Sequence, residues 1–232
     1  MMNHPLNKRQ GDLVEWMDRH DCDPVILDRT YRNFSIVNHL LSGWDRLYRH
    51  HLRPLMNRGQ TWKLLDVGCG GGDITRKIAA WAQRDGLDLV VTGVDPDPRA
   101  IRFALANSRE NRRLRFRQTD SYSLLDEGKR YDFVISNHVL HHLDEKMLPD
   151  FLESLRGLAV RKVICSDIER SATGYALFSA ATLLLFRGSY IREDGRISIK
   201  KSYTHKELSA MVSVRWKVFR QFPFRLLAIH EP

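Results

Sequence analysis

Leu64-Leu65-Asp66-Val67-Gly68-Cys69-Gly70-Gly71-Gly72-Asp73 is the stretch on which the fold turns. Residues of buried-strand character run straight into glycines, and an amphipathic helical segment, residues 73–84, follows. Glycines in that position let a backbone approach a ligand with no Cβ in the way. The N–H groups at the start of the next helix favour negative charge. The phosphate of a nucleotide and the carboxylate of an amino acid both satisfy that. Two details narrow the choice. The dinucleotide fingerprint G-x-G-x-x-G/A, counted from Gly68, ends on Asp73, a carboxylate where a phosphate would need none. The triphosphate-binding loop needs Lys-Ser/Thr after its glycines, and none stands there. Asp66 and Asp73, one at each end, suit a ligand with cationic groups such as an ammonium and a sulfonium. Cys69 reads as a small residue fitting a tight turn, not as a nucleophile.

Outward from the loop, apolar runs alternate with helical periodicity. Strands are expected at residues 64–67, 89–95, 114–118, 132–136 and 162–166, and helices at 73–84, 98–111 and 145–158. Pro98 suits a first helical turn. Continuous apolar strands alternating with helices imply a parallel sheet covered on both faces. A ligand in such a fold sits at the carboxyl ends of the strands, near the switch point. Upstream, residues 33–55 carry apolar residues near helical spacing, with Gly43 as a break. Downstream, residues 172–186 are apolar, and Glu193-Asp194-Gly195-Arg196 reads as a turn. Residues 204–212 read as a helix with a Thr204/Glu207 capping box, and residues 214–219 and 225–230 as a closing hairpin around Pro223. Residues 1–60 are therefore read as a helical lid. Residues 61–232 are read as the ligand-binding domain, with a lid insertion around 172–203.

The strand ends carry polar residues. Asp95 can accept both hydroxyls of a ribose, although an acid before Pro96-Asp97-Pro98 also suits a helix N-terminus. Asp120 and Ser121 could bond the amine and ring nitrogen of adenine, the alternative being a loop acid. In combination these segments resemble the class I S-adenosylmethionine-dependent methyltransferase family. LLDVGCGGGD is similar to its first motif, VTGVDPD to its second, TDS to its third and YDFVISNHVLHHL to its fourth. The resemblance covers about residues 62–167. It implies an α/β, Rossmann-like, doubly wound sheet of seven strands, mostly parallel with the last antiparallel, and S-adenosylmethionine as cofactor. It also implies cofactor contacts from Asp66, Gly68, Asp95, Pro96, Asp120, Ser121 and Asn137, to which the loop adds Cys69, Gly70 and Asp73. Residues 34–43 are similar to the segment preceding the fold in quinone-biosynthesis methyltransferases. They depart from it: Ile36-Val37 stands where a tyrosine-aspartate pair would be, and Ser42 and Gly43 are adjacent.

Methyl transfer from a sulfonium needs proximity and alignment above all. A phenol or enol acceptor also benefits from a general base. The candidates are His138, His141 and His142, because imidazole titrates near neutral pH. The competing reading is that one of them packs against the loop. His205 and Tyr203 are secondary candidates. Residues 175–186 can wall an aromatic or lipid-like acceptor, or be an ordinary core helix. The function so read is methyl transfer to oxygen or carbon of a small hydrophobic phenolic, quinonoid or polyketide-like acceptor. The alternatives are an RNA or protein methyltransferase and a non-catalytic cofactor-binding protein. Ser136-Asn137-His138-Val139 stands where amino-group methyltransferases carry Asn/Asp-Pro-Pro-aromatic.

The formal net charge of +9 raises nucleic acid or an anionic surface as partner. The densest basic cluster, Arg109, Arg112, Arg113, Arg115 and Arg117, lacks the interleaved aromatics of a single-strand platform. The partner expected is thus a small molecule and not nucleic acid, with a homodimer left open. Cys22, Cys69 and Cys165 are scattered, with neither a disulfide framework nor a zinc spacing; no metal is expected. No apolar run reaches the ~20 residues of a membrane span, and residues 1–11 lack the apolar core of a secretory signal. A cytoplasmic location is the expectation.

Overall fold

The structure, a computed structural model, describes residues 6–108, 111–183 and 185–232. Seven strands form one sheet in the order β3-β2-β1-β4-β5-β7-β6. They are β1 (Thr61–Val67), β2 (Asp88–Asp95), β3 (Leu114–Gln118), β4 (Tyr131–Asn137), β5 (Ala159–Ile168), β6 (Trp216–Gln221) and β7 (Arg225–His230). The first five are mutually parallel. β7 runs antiparallel to both β5 and β6, so the closing hairpin slots its second strand inside its first. The expected seven-stranded sheet with an antiparallel last strand is the one observed. The order reverses between β1 and β4, which opens a crevice at their carboxyl ends.

Alternation along the central strands builds two cores. Leu64, Phe133, Ile135 and Ile164 face one side with Trp44, Tyr48, Leu52 and Ile78. Leu65, Val134, Val163 and Cys165 face the other with Leu152, Leu155 and Leu208. Successive side chains on a strand point to opposite faces, so strands covered on both sides must be apolar throughout.

The helices are α1 (Pro24–Leu41), α2 (Trp44–Leu47), α3 (Asp73–Arg84), α4 (Pro98–Ala106), α5 (Ser121–Asp126), α6 (Met147–Leu158), α7 (Ala172–Ala181), α8 (Ile191–Lys201) and α9 (His205–Met211). In α3 the buried Ile74, Thr75, Ile78, Ala79 and Ala82 form one stripe. Asp23 caps α1, accepting the N–H of Val25 and Ile26 with Pro24 in the first turn, an arrangement worth about 1 kcal/mol. The helix expected over residues 33–55 begins earlier, at Pro24, and breaks at Gly43, whose φ is +65°. A side chain at Gly43 would also run into Gln221. The Thr204/Glu207 capping box opens α9 as expected.

Three expectations are corrected. Glu193-Asp194-Gly195-Arg196 is not a turn but part of α8. Asp194 is fully buried and accepts the N–H of Trp16 (2.7 Å) and Met17 (3.1 Å), and a Cβ at Gly195 would collide with the Phe178 ring. These turn-forming residue types are there for tertiary packing. The apolar stretch from residue 172 is helical only to Ala181. The helix beginning at Pro98 stops at Ala106, short of residue 111. Arg109 of the basic cluster and Leu184 of the apolar stretch lie outside the described residues.

Residues 6–22 form a strap tied to α8 and to the turn after β4. Arg9 anchors it, donating to the carbonyls of Lys201 (2.6 Å), His141 (2.9 Å) and Leu143 (2.7 Å) while lying over the Tyr203 ring. Arg99 of α4 donates to the carbonyls of Met17 and Arg19 farther along. Among the described residues no helix is long and apolar enough to cross a membrane.

Candidate active site

The carboxyl ends of β1, β2 and β4 open into a cavity of about 1080 Å³. The glycine loop forms one wall. Gly68 and Cys69 donate their N–H to the Val94 carbonyl at 2.9 and 3.0 Å, tying the loop to β2. Gly68 has φ +70°, and a Cβ there would run into Val139. Gly70 has φ +51° and faces open space, with no atom within 4 Å of where a Cβ would stand. Asp95 accepts the Gly70 N–H on one carboxylate oxygen and the Asp97 N–H on the other, both at 2.9 Å. Each oxygen keeps a lone pair for a further donor, such as a ribose hydroxyl. Burial pushes the Asp95 carboxyl above its ordinary range.

Two more carboxylates meet beneath the loop. Asp73 accepts the Asn38 amide at 3.2 Å and pairs with Lys77 at 3.4 Å. Asp66 is 1% exposed. One of its oxygens accepts the Thr75 hydroxyl at 2.6 Å; the other is buried with no partner. Burial pushes Asp66 up to about 7, and the charges of Asp73 and Asp95 add to the effect. An orphaned buried acceptor costs free energy until a donor or cation reaches it. The wall is therefore complementary to a ligand bearing an ammonium group. The Cys69 thiol is pushed well above its usual range by burial, so it stays protonated as a turn residue.

The opposite floor holds the histidines and a set of charges from distant segments. His138 has φ +61°, and its N–H donates to the Ser166 carbonyl at 3.0 Å. Its Nε2 lies 3.1 Å from Nη1 of Arg225, a buried residue at the start of β7. Arg225 also donates to the Ser166 hydroxyl (3.0 and 2.9 Å) and to Asn137 Oδ1 (2.7 Å). Burial, with the charge of Arg225, holds His138 well below its usual range. His141 donates Nδ1–H to Asp167 at 2.7 Å, and its Nε2 makes an ion contact with Glu15 of the strap at 3.3 Å, without the alignment of a hydrogen bond. Burial opposes its charge, but the two carboxylates outweigh burial and hold His141 up at about 9. Glu15 is held down to about 2, its burial overcome by His141, His142 and Lys201. His142 is exposed, with Nδ1 3.2 Å from both Asp18 and Lys201.

The family described as "Methyltransferase domain" matches residues 64–174. The chain is similar to the ubiquinone biosynthesis O-methyltransferase of Azorhizobium caulinodans, 37% identical over 106 residues, 43% of this chain and 38% of that protein. A protein of the same description from Cereibacter sphaeroides is 30% identical over 174 residues, 73% of this chain and 65% of its own length. The structure of the plantazolicin methyltransferase BpumL in complex with SAH has a TM-score of 0.65 at 15% identity, covering 93% of this chain and 92% of that one; that likeness is one of fold. Residues 64–174 are a methyltransferase domain of the class I, S-adenosylmethionine-dependent type. The chain spans 38%, 39%, 29% and 65% of the length of the first four curated relatives it matches.

Asp66, Gly68, Cys69, Gly70, Asp73, Asp95, Pro96 and Asn137 all line this cavity, together with His138, His141 and His142. Asp120 and Ser121 do not line it. Asp120 caps α5, accepting the Ser123 N–H at 2.8 Å, and the buried Ser121 hydroxyl shares a hydrogen bond with Ser154 at 2.7 Å. A helix of six residues is too short to show a period, so the sequence hides this commitment. Tyr203 donates to the Leu143 carbonyl, and His205 Nε2 lies against the Val218 carbonyl; neither lines the cavity. Glu15, Asp167, Lys201 and Arg225 were not legible as site residues, because their chain segments meet only in the fold. Glu15, His141 and His142 bring ligand-type atoms within 4.8 Å of one another, as do His138, His141 and Asp167. Both sets already have cations against them: Lys201 is 3.7 Å from Glu15, and Arg225 bonds His138.

Proposed function

We propose that this methyltransferase moves the methyl group of S-adenosylmethionine to an oxygen or carbon of a small, hydrophobic phenolic, quinonoid or polyketide-like acceptor. The observation that carries the reading is the two-sided cavity. A carboxylate-rich glycine loop forms one wall, and Phe34, Val37, Leu177, Phe178 and Phe222 contribute an apolar one. The ubiquinone biosynthesis O-methyltransferases among the relatives favour an oxygen as the acceptor atom.

When bound, the cofactor supplies a methyl group on a sulfonium, already a good leaving group. The chain supplies position. Asp66 and Asp73 would hold the ammonium group and Asp95 the ribose hydroxyls, with Asn137 and His138 toward the acceptor. Alignment of this kind is worth several kcal/mol of barrier. A hydroxyl acceptor must also lose its proton. His141 already holds one between two carboxylates, and Nε2 of His138 is engaged by Arg225. His142 lines the cavity and is partly open, which makes it our candidate base.

Calorimetry with S-adenosylmethionine and its demethylated product tests the cofactor half of the reading. Binding of neither would refute it. A panel of phenols against small polar acceptors tests the other half, and turnover confined to the polar ones would remove the hydrophobic acceptor.

A further inference from the structure

We propose that Arg225 is a positioning residue that fixes His138 as the Nδ1–H tautomer and so makes it a hydrogen-bond donor to the acceptor's oxygen rather than a base. The donor role rests on the methyltransferase reading above; the tautomer does not.

A guanidinium carries five N–H donors and no acceptor. Nη1 of Arg225 stands 3.1 Å from Nε2 of His138, so Nε2 must present its lone pair. A neutral imidazole with a lone pair on Nε2 carries its proton on Nδ1. Arg225 cannot turn away, because Nε and Nη2 both bond the Ser166 hydroxyl and Nη2 also bonds Asn137. These anchors sit on two neighbouring strands, with Asn137 of β4 in register with Ser166 of β5. The imidazole is held as firmly by its left-handed backbone and by the N–H bond to Ser166. Among the described residues no protein group is bonded to Nδ1, and His138 lines the cavity.

The charged and titratable groups around the ring come from four elements: Arg225 from β7, Asp167 from β5, His141 from the turn after β4 and Glu15 from the strap. Asp167 and Glu15 favour a charged ring, but the His141 imidazolium stands between them and takes up that field. Burial and Arg225 prevail, which keeps His138 neutral. A donor at that place bonds an oxygen through a lone pair. The site then favours an acceptor whose oxygen reacts as an enolate or a phenolate, the proton of a hydroxyl having left by another route.

The test is a two-bond proton–nitrogen correlation spectrum of histidine-labelled full-length protein with the demethylated cofactor, assigned by loss of signal in H138Q. We expect an Nδ1–H tautomer for His138 that does not titrate between about pH 5 and 8. R225Q, whose amide can accept as well as donate, should release the tautomer, whereas R225K, still only a donor, should preserve it. A proton on Nε2 in the wild type, titration in the wild type, or a folded R225Q with His138 unchanged would each overturn the assignment. If R225Q does not fold, the wild-type spectrum and R225K still decide. Saturating para-nitrophenol should move the His138 Nδ1–H resonance; no movement removes the donor role. Loss of cofactor binding in calorimetry would sink the methyltransferase reading while leaving the tautomer result standing.

Discussion

Asp66 combines a cost in the empty protein with a use in the loaded one. Its carboxyl is raised from 3.8 to about 7 in the fold. A raised acid binds more protons folded than unfolded, so its contribution to stability falls as pH rises from the unfolded value to the folded one. At about 1.4 kcal/mol per unit, the penalty in the empty protein reaches a few kcal/mol near neutrality. D66N should therefore melt higher than the wild type without ligand, by a margin that widens from about pH 4 to 7. The same variant should lose cofactor affinity by tenfold or more, since the amide no longer offers a charge to an ammonium group. Thermal melts across pH and calorimetry check the two halves. A D66N protein that is less stable and binds normally would refute the account.

At the scale of elements, the strap of residues 6–22 is latched by a buried trio. Glu15 of the strap faces His141, and His141 bonds Asp167 of β5. Glu15 is lowered from 4.5 to about 2, so its contribution is present above pH 4.5 and lost as pH falls through 2. His141 is raised from 6.5 to about 9, so its contribution is present below pH 6.5 and lost as pH rises through 9. The latch is strongest where the windows overlap, between pH 4.5 and 6.5. Amide exchange of residues 12–18, corrected for intrinsic rates, should be slowest there, and E15Q should flatten the profile. Uniform protection from pH 5 to 9 would argue that Arg9 alone holds the strap. A second expectation concerns the packing of α7 on α8. G195A places a methyl against Phe178, a cost of about 1–3 kcal/mol if the ring cannot move. A melting temperature unchanged from wild type would mean that the ring yields. The strap and α8 were also where sequence reading failed, for one reason. Glu15, Asp194 and Gly195 answer to partners far along the chain, whereas the strands flanking the glycine loop answer to their own apolar periodicity.

For the whole molecule, the cavity divides between what is local in sequence and what is assembled. The wall proposed to take the cofactor comes from one motif and the strand end after it, with Asp66 to Asp73 in one run and Asp95 closing it. That half was legible because the chemistry sits at consecutive strand ends. The acceptor half is drawn from α1, α7, the strap and the turn before β7, so no single stretch announces it. Its apolar side chains continue to the surface: Leu40, Leu177 and Phe222 line the cavity and are 68%, 57% and 79% exposed. An acceptor with an alkyl tail would cover them, and each buried methylene contributes about 0.8 kcal/mol, or roughly fourfold in affinity. Across a series of para-alkylphenols, kcat/KM should therefore climb by about that factor per carbon until the tail passes the rim. In V37D and L177D the climb should flatten, while cofactor affinity, set by the other wall, stays within about twofold of wild type. A flat series in the wild type would place the apolar wall outside acceptor recognition. A parallel loss of cofactor affinity in both variants would mean that the two halves of the cavity are not separable.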